Sequence, residues 1–249
     1  MARKAIGIDI GGTGIKGALV DTKRGELLSS RIKIETPTGG EPEAIAEVVR
    51  EIASQLTNRS DRAIGICFPA VVQDGITRSA ANVSKRWIDL DAESVFTKAL
   101  HTKVEILNDA DAAGVAESRF GAGKGRRGLV ILTTLGTGIG TALVHNGVVI
   151  PNSELGHLQI DGVDYETKAS FAAKERENLD FTQWAQRLQR YYSELERLFT
   201  PSLFIVGGGI SKSHKEFLPL LKLKTEIVPA KLKNSAGIIG AAAFATREF

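Results

Sequence analysis

Apolar positions follow two rhythms along this chain. Residues 5–10, 63–68, 104–107, 129–134 and 203–206 are short apolar runs bounded by Gly, Asn or Pro, the pattern of buried strands. Between them the spacing changes. Ile45, Val48, Val49, Ile52 and Leu56 recur at helical intervals, as do Phe181, Trp184, Ala185, Leu188, Tyr191, Tyr192, Leu195 and Leu198, so each set would line one helix face. Pro201 stops the second stripe. A further helix, 110–120, is rich in small residues. Strands alternating with helices predict an α/β protein with largely buried sheets.

Composition narrows the class. The chain has 249 residues, 43% hydrophobic and 24% charged, enough for one large domain or two lobes of roughly 120 residues. No stretch approaches the ~20 continuous apolar residues of a membrane helix. Met1-Ala2-Arg3-Lys4 runs into the first strand without the apolar stretch of a secretory signal. Cys67 is the only cysteine, which excludes an internal disulfide or a multi-cysteine zinc site and fits a reducing, cytoplasmic setting. Lys plus Arg exceed Asp plus Glu by only 32 to 29, well short of a nucleic-acid-binding tail. Neither a nucleic acid nor a membrane is an expected partner.

One internal repeat organises the chain. Gly12-Thr13-Gly14-Ile15-Lys16-Gly17-Ala18-Leu19-Val20 aligns without gaps on Gly136-Thr137-Gly138-Ile139-Gly140-Thr141-Ala142-Leu143-Val144, with seven of nine positions identical at an offset of 124. Each copy joins two apolar strands, so each predicts a β-hairpin with a Gly-rich turn, and the pair predicts duplicated lobes. Glycines allow close approach to a ligand, and successive N–H groups can cradle phosphate oxygens. Gly11, Gly12, Thr13, Gly14 and Lys16 form one candidate cradle; Thr134, Gly136, Thr137 and Gly138 form the other. Two tight turns that need glycine for geometry alone are the competing explanation. Neither copy is a P-loop or a dinucleotide fingerprint.

The string Asp9-Ile10-Gly11-Gly12-Thr13-Gly14-Ile15-Lys16 resembles the first phosphate motif of the sugar kinase, hexokinase, Hsp70 and actin superfamily. Glu154-Leu155-Gly156-His157 resembles the sugar signature of its ROK group. Asn108-Asp109-Ala110-Asp111 and Gly207-Gly208-Gly209-Ile210-Ser211 follow in the expected order. Asn82-Val83-Ser84-Lys85-Arg86-Trp87 and Ile150-Pro151-Asn152-Ser153-Glu154-Leu155-Gly156-His157 are similar to the polyphosphate glucokinase branch. Its members phosphorylate glucose from inorganic polyphosphate and sometimes from ATP.

The resemblance implies a two-lobed actin-like, ribonuclease H-like ATPase fold. The smaller lobe would be 1–108 plus 237–249, and the larger 109–236. The small-residue helix 236–245 would cross back to the first lobe, a dimerisation helix being the alternative. Asp109 is implied as the catalytic base that takes the proton of the sugar hydroxyl; as a bare pattern, Asn108-Asp109 is a helix cap. Asn82, Asn108, Asp109, Glu154, His157 and Glu166 match sugar-contacting positions. Glu166 alternatively supplies only a helix N-terminal charge, and Tyr165 stands where the branch has a small residue. Asp9 is implied as the Mg²⁺ carboxylate, acting through water; its alternative is capping the turn. Gly207, Gly208 and Gly209 would lie against the phosphate donor, opening a helix whose N-terminus favours anions.

Most ROK members carry a cysteine-rich zinc motif after the equivalent of His157. No Cys follows Cys67 here, so no zinc is expected, and protein hydrogen bonds must orient His157. Lys85, Arg86, Lys124, Arg126, Arg127 and Lys212 are candidate polyphosphate contacts, and Trp87 either meets sugar or packs in a core. A homodimer is expected by analogy with the family. The expected activity is transfer of a phosphoryl group from polyphosphate, and possibly ATP, to the 6-hydroxyl of glucose. The rivals are an ATP-dependent hexose kinase that also accepts mannose and, remotely, a non-catalytic sugar sensor. ROK repressors carry an N-terminal DNA-binding extension, for which the motif at Asp9 leaves no room.

Overall fold

A computed structural model describes residues 4–57 and 62–247; the opening Met1-Ala2-Arg3, read above as lacking a secretory leader, lies outside them. In chain order the main elements are β1 (Lys4–Ile10), β2 (Ile15–Asp21), α1 (Pro42–Leu56), β3 (Ala63–Phe68), α2 (Ala92–Leu100), β4 (Val104–Asn108) and α3 (Asp109–Phe120). There follow β5 (Leu129–Leu135), β6 (Ile139–His145), β7 (Val148–Ile150), α4 (Glu166–Ala169), α5 (Phe171–Arg176), α6 (Phe181–Phe199), β8 (Leu203–Gly207), α7 (His214–Phe217), β9 (Ile227–Pro229) and α8 (Ala236–Ala245). No helix among the described residues is long and apolar enough to cross a membrane.

The chain forms two compact units, 1–116 with 235–249 and 117–234. The sequence-based division places its boundaries at 108/109 and 236/237 instead, so residues 109–116, the first part of α3, and residues 235–236 are assigned differently.

In the first unit β2 returns antiparallel to β1, and β1, β3 and β4 run parallel, in the order β2-β1-β3-β4. The apolar stripe of α1 covers this sheet: Ile45, Val49 and Ile52 are buried with Ile6, Ile8 and Ile66. The other helix on the sheet is α8, and its approach is set by glycine. A Cβ on Gly65 would lie 1.9 Å from the carbonyl oxygen of Ala241, and one on Gly240 would lie 1.8 Å from that of Ala112. Only hydrogen fits at these two contacts, so α8 presses directly onto β3 and α3.

The second unit repeats the plan, with order β7-β6-β5-β8-β9, an antiparallel β5–β6 hairpin and parallel β5, β8 and β9. Its core holds Trp184, Leu188, Tyr191, Tyr192 and Leu195 of α6 against Phe204 and Val206 of β8. Asp180 and Gln183 form a capping box at the start of α6. Leu198, the last residue of the expected stripe, is 47% exposed, because α6 ends one residue later and has nothing left to cover.

The repeat is real but not strictly gapless. Ile10 pairs with Ile15 in the first hairpin, and Leu135 with Ile139 in the second. The first turn is therefore one residue longer, and the structural counterparts of Asp9 and Lys16 are Thr134 and Gly140.

Candidate active-site groups in each unit

In the first unit the parallel strands deliver their last residues to one edge, where open α/β sheets place their ligands. Asp9 is in register with Cys67 on β3 and with Lys16 across the hairpin. Lys16 Nζ lies 3.5 Å from Asp9 Oδ2, and the Cys67 thiol donates to Asp9 Oδ1 at 3.5 Å. Burial pushes the Cys67 thiol well up, and the carboxylates of Asp9 and Asp109 add to the shift. Both acids thus bear on one buried sulfur.

Asn108 ends β4 and is almost wholly occupied by the backbone. Its Nδ2 donates to the Ala70 carbonyl at 3.0 Å, and its Oδ1 accepts from Ala110 N at 2.8 Å and Asp111 N at 3.2 Å. It caps α3 and leaves one amide hydrogen for a ligand. Asp109 is exposed. Its Oδ1 accepts from Ala110 N at 2.8 Å, so the carboxylate is steadied on the first turn of α3. Asp111 is buried, at 2% exposure. In the glycine turn, Gly11 N donates to Gly14 O at 3.2 Å. A Cβ on Gly12 would come within 2.8 Å of Asn82 Cβ, so the turn and Asn82 are packed together.

The second unit shows the same kind of juxtaposition. Gly136 N donates to Gly138 O at 3.0 Å, leaving Thr137 exposed at the tip. Glu166 accepts from Ile139 N at 2.7 Å, directly after this turn. Gly156 lies over the carbonyl of the same Ile139, 2.1 Å from where its Cβ would be. Thr141 Oγ1 donates to Ser153 O at 2.6 Å and accepts from Leu155 N at 3.0 Å. The segment 153–157, Glu166 and the turn 136–138 are one packed assembly. Gly208, at φ +83°, presses on Leu135 at the end of β5, which brings the third glycine loop beside the same turn.

His157 Nδ1 lies 2.8 Å from Asp164 Oδ2. That hydrogen bond raises the imidazole above its ordinary value; desolvation opposes the rise, and the Glu166, Asp164 and Glu154 charges support it. Glu154 is exposed by surface area, yet desolvation on its protein side pushes its carboxyl up, opposed by His157 and aided by Glu166. Tyr165 is buried and stacks on Tyr191, centroids 6.3 Å apart, so the branch's small residue is replaced by a core aromatic.

Several sequence expectations change. The Gly207–Gly209 loop opens a 3₁₀ segment, Gly209–Ser213, and then the single turn α7, because Ser211 folds back on Gly208 O through N and Oγ at 3.1 and 2.8 Å. There is no long helix there to supply a dipole. Trp87 is fully buried, stacks on Phe96 at 5.6 Å and donates to Gly40 O at 2.9 Å; it belongs to the core. Arg86 is taken by Glu41 and Glu43. Lys124, Arg126 and Arg127 precede β5, at the end of that strand opposite the glycine turn, and Arg126 pairs with Glu226. Seven strand residues separate them from the turn, ~23 Å at ~3.3 Å each. Lys16 and Lys212 are the candidate cations at the glycine-loop ends.

Asp164 was not anticipated, although its signal is legible. Asp161 and Gly162 both adopt positive φ, as a two-residue Asp-Gly hairpin turn requires. The hairpin pairs Gln159 with Asp164 and so returns the acid to the neighbourhood of His157.

The ROK family model matches residues 5–178. The polyphosphate glucokinase of Mycobacterium tuberculosis is 46% identical over 96% of this chain and 90% of its own length. The solved inorganic polyphosphate/ATP-glucomannokinase of Arthrobacter sp. strain KM superposes with a TM-score of 0.90 at 51% identity, covering 97% of this chain and 98% of that one. A ROK family glucokinase from Streptomyces griseus, solved with glucose and AMPPNP, matches at 26% identity with a TM-score of 0.81 over 97% and 98% of the two chains.

Proposed function

The chain belongs to the ROK family, and from that premise we propose that it transfers a phosphoryl group from inorganic polyphosphate, with ATP as a second donor, to the 6-hydroxyl of glucose. The observation that carries this reading is the exposed Asp109 carboxylate, which opens α3 directly after β4 at the sheet edge where Asp9 lies in register with Cys67 and Cys67 with Leu107. The similarity to proteins named for polyphosphate and glucose extends over nearly the whole chain.

In this reading Asp109 accepts the proton of the 6-hydroxyl as that oxygen bonds to the terminal phosphorus. The P–O bond to the rest of the donor breaks and leaves a polyphosphate shorter by one unit, or ADP. Phosphoryl transfer asks for little covalent chemistry beyond this, so positioning and charge neutralisation supply most of the acceleration. The backbone N–H groups of the turns 11–14 and 136–138 are the groups offered to phosphate oxygens. Asn82, the free amide hydrogen of Asn108, Glu154, His157 and Glu166 are offered to sugar hydroxyls.

Mg²⁺ suits Asp9. A hard carboxylate lies at the strand end, hydrogen-bonded to Lys16 and Cys67, and no three His, Cys, Asp or Glu side chains among the described residues gather into a cage. Such a place fits a cation that keeps most of its waters and takes its other ligands from phosphate. When bound there, the ion would neutralise phosphate charge. The experiment is turnover with long-chain polyphosphate and glucose in ATP-free buffer. Formation of glucose 6-phosphate is expected; product with ATP alone would leave the hexose kinase reading.

A further inference from the structure

Asp164 stands between two of the groups offered to the sugar. Its Oδ2 is 2.8 Å from His157 Nδ1, and its Oδ1 accepts from Glu166 N at 3.2 Å. Its own backbone is tied as well, since Thr167 Oγ1 donates to Asp164 O at 2.6 Å. A carboxylate has two oxygens and no donor; here each oxygen is assigned to a different neighbour. We propose that Asp164 is a positioning residue that fixes His157 and Glu166 together as one sugar-recognition unit.

The chemistry follows from hydrogen-bond direction. With Asp164 accepting at Nδ1, the neutral imidazole carries its proton on Nδ1 and presents Nε2 as an acceptor, while the protonated ring presents Nε2–H as a donor. In either state the ring plane is held. The same carboxylate holds the first residue of α4, so the Glu166 side chain leaves from a fixed backbone toward Ile139 N. A histidine that ligates a metal is commonly oriented through its other nitrogen by a carboxylate; here the ring is held in the same manner and turned toward a different task. The charged groups acting on His157 are Asp164, Glu166 and Glu154, and of these Asp164 makes the direct bond. This role rests on the sugar reading of His157 and Glu166 given above.

The test has two arms, one of them free of substrate. In ¹⁵N-histidine-labelled protein, with His157 assigned by its loss in His157→Gln, the wild-type ring is expected as the Nδ1–H tautomer, titrating above its ordinary value. Asp164→Asn is expected to bring the titration back toward that value and to relax the tautomer preference. In the kinetic arm, Asp164→Asn raises the KM for glucose about tenfold, the order expected when a charge-assisted bond to a binding group is lost, and leaves the KM for polyphosphate unchanged. In the His157→Gln background the same substitution costs less. A wild-type ring with the Nε2–H tautomer and an ordinary titration overturns the proposal without any variant being needed, and so does a His157 titration indifferent to Asp164→Asn. If the wild type shows no turnover with glucose, the functional reading fails while the ring titration still decides the role of Asp164.

Discussion

Gly138 lies so close to Glu166 that a Cβ added to the glycine would meet the carboxylate Oε2 at 2.3 Å and Cδ at 2.8 Å. Gly12 stands in the same relation to Asn82 in the other unit, at 2.8 Å from its Cβ. In each unit a glycine of the phosphate turn is packed directly on a residue proposed to contact sugar. The competing explanation of these turns, glycine for turn geometry alone, leaves that contact without a purpose.

Gly138→Ala should therefore act through Glu166. The carboxylate must swing away and release Ile139 N, at a cost of about 1 kcal/mol for the lost bond. The expected result is a higher glucose KM, with Gly138→Ala and Glu166→Ala clearly non-additive in a double-mutant cycle. Additive losses would separate the two residues.

Asp109→Asn keeps the shape of the side chain and removes the base. Turnover should fall by ~10²–10⁴-fold, while glucose binding measured by calorimetry persists. Near-normal turnover would leave Asp109 as a cap and nothing more.

Lys16→Ala and Lys212→Ala should each raise the KM for polyphosphate, and Lys124→Ala and Arg127→Ala should not, because only the first two stand at glycine-loop ends. Initial rates at two salt concentrations check this, since affinity resting on charge weakens as salt rises.

The pH dependence of stability has a definite sign at His157. Its folded value lies above the ordinary 6.5, so its bond to Asp164 contributes fully below that value and fades as pH rises through the folded one. Urea unfolding of wild type and His157→Gln should differ more at acid than at alkaline pH.

Gly65→Ala meets backbone, not a flexible side chain, at the Ala241 carbonyl. Overpacking of that kind costs ~3 kcal/mol or more, and a thermal melt should show a large drop.

Much of this was legible in the chain itself. The apolar runs gave β1, β3, β4, β5 and β8 to within a residue, since strands buried on both faces have little choice of composition; the short, half-buried parallel strand β9 was not among them. The repeat predicted two like hairpins, and both are present. Side-chain commitments were not legible. Asn108 is tied to the Ala70 carbonyl, Arg86 to Glu41 and Glu43, and Trp87 to the core and the Gly40 carbonyl, and each of these partners is distant in sequence. The 3₁₀ segment after Gly208 escaped because it depends on Ser211 folding back on the backbone, which no periodicity reports. Asp164 was overlooked because an acid in a short polar hairpin looks like a solvated one until its register with Gln159 is known.

The contact of α8 with β3 and α3 bears on the order of biosynthesis. The β1–β3–β4 layer emerges from the ribosome early, but the helix that shields it is encoded after residues 117–234. At ~5–20 residues per second, the nascent layer waits on the order of ten seconds with its other face, that of Gly7, Gly65 and Cys67, lacking its final cover. The later-made unit is contiguous and can close first, so a truncation just before Ala236 should yield insoluble chains while an excised 117–234 fragment stays soluble.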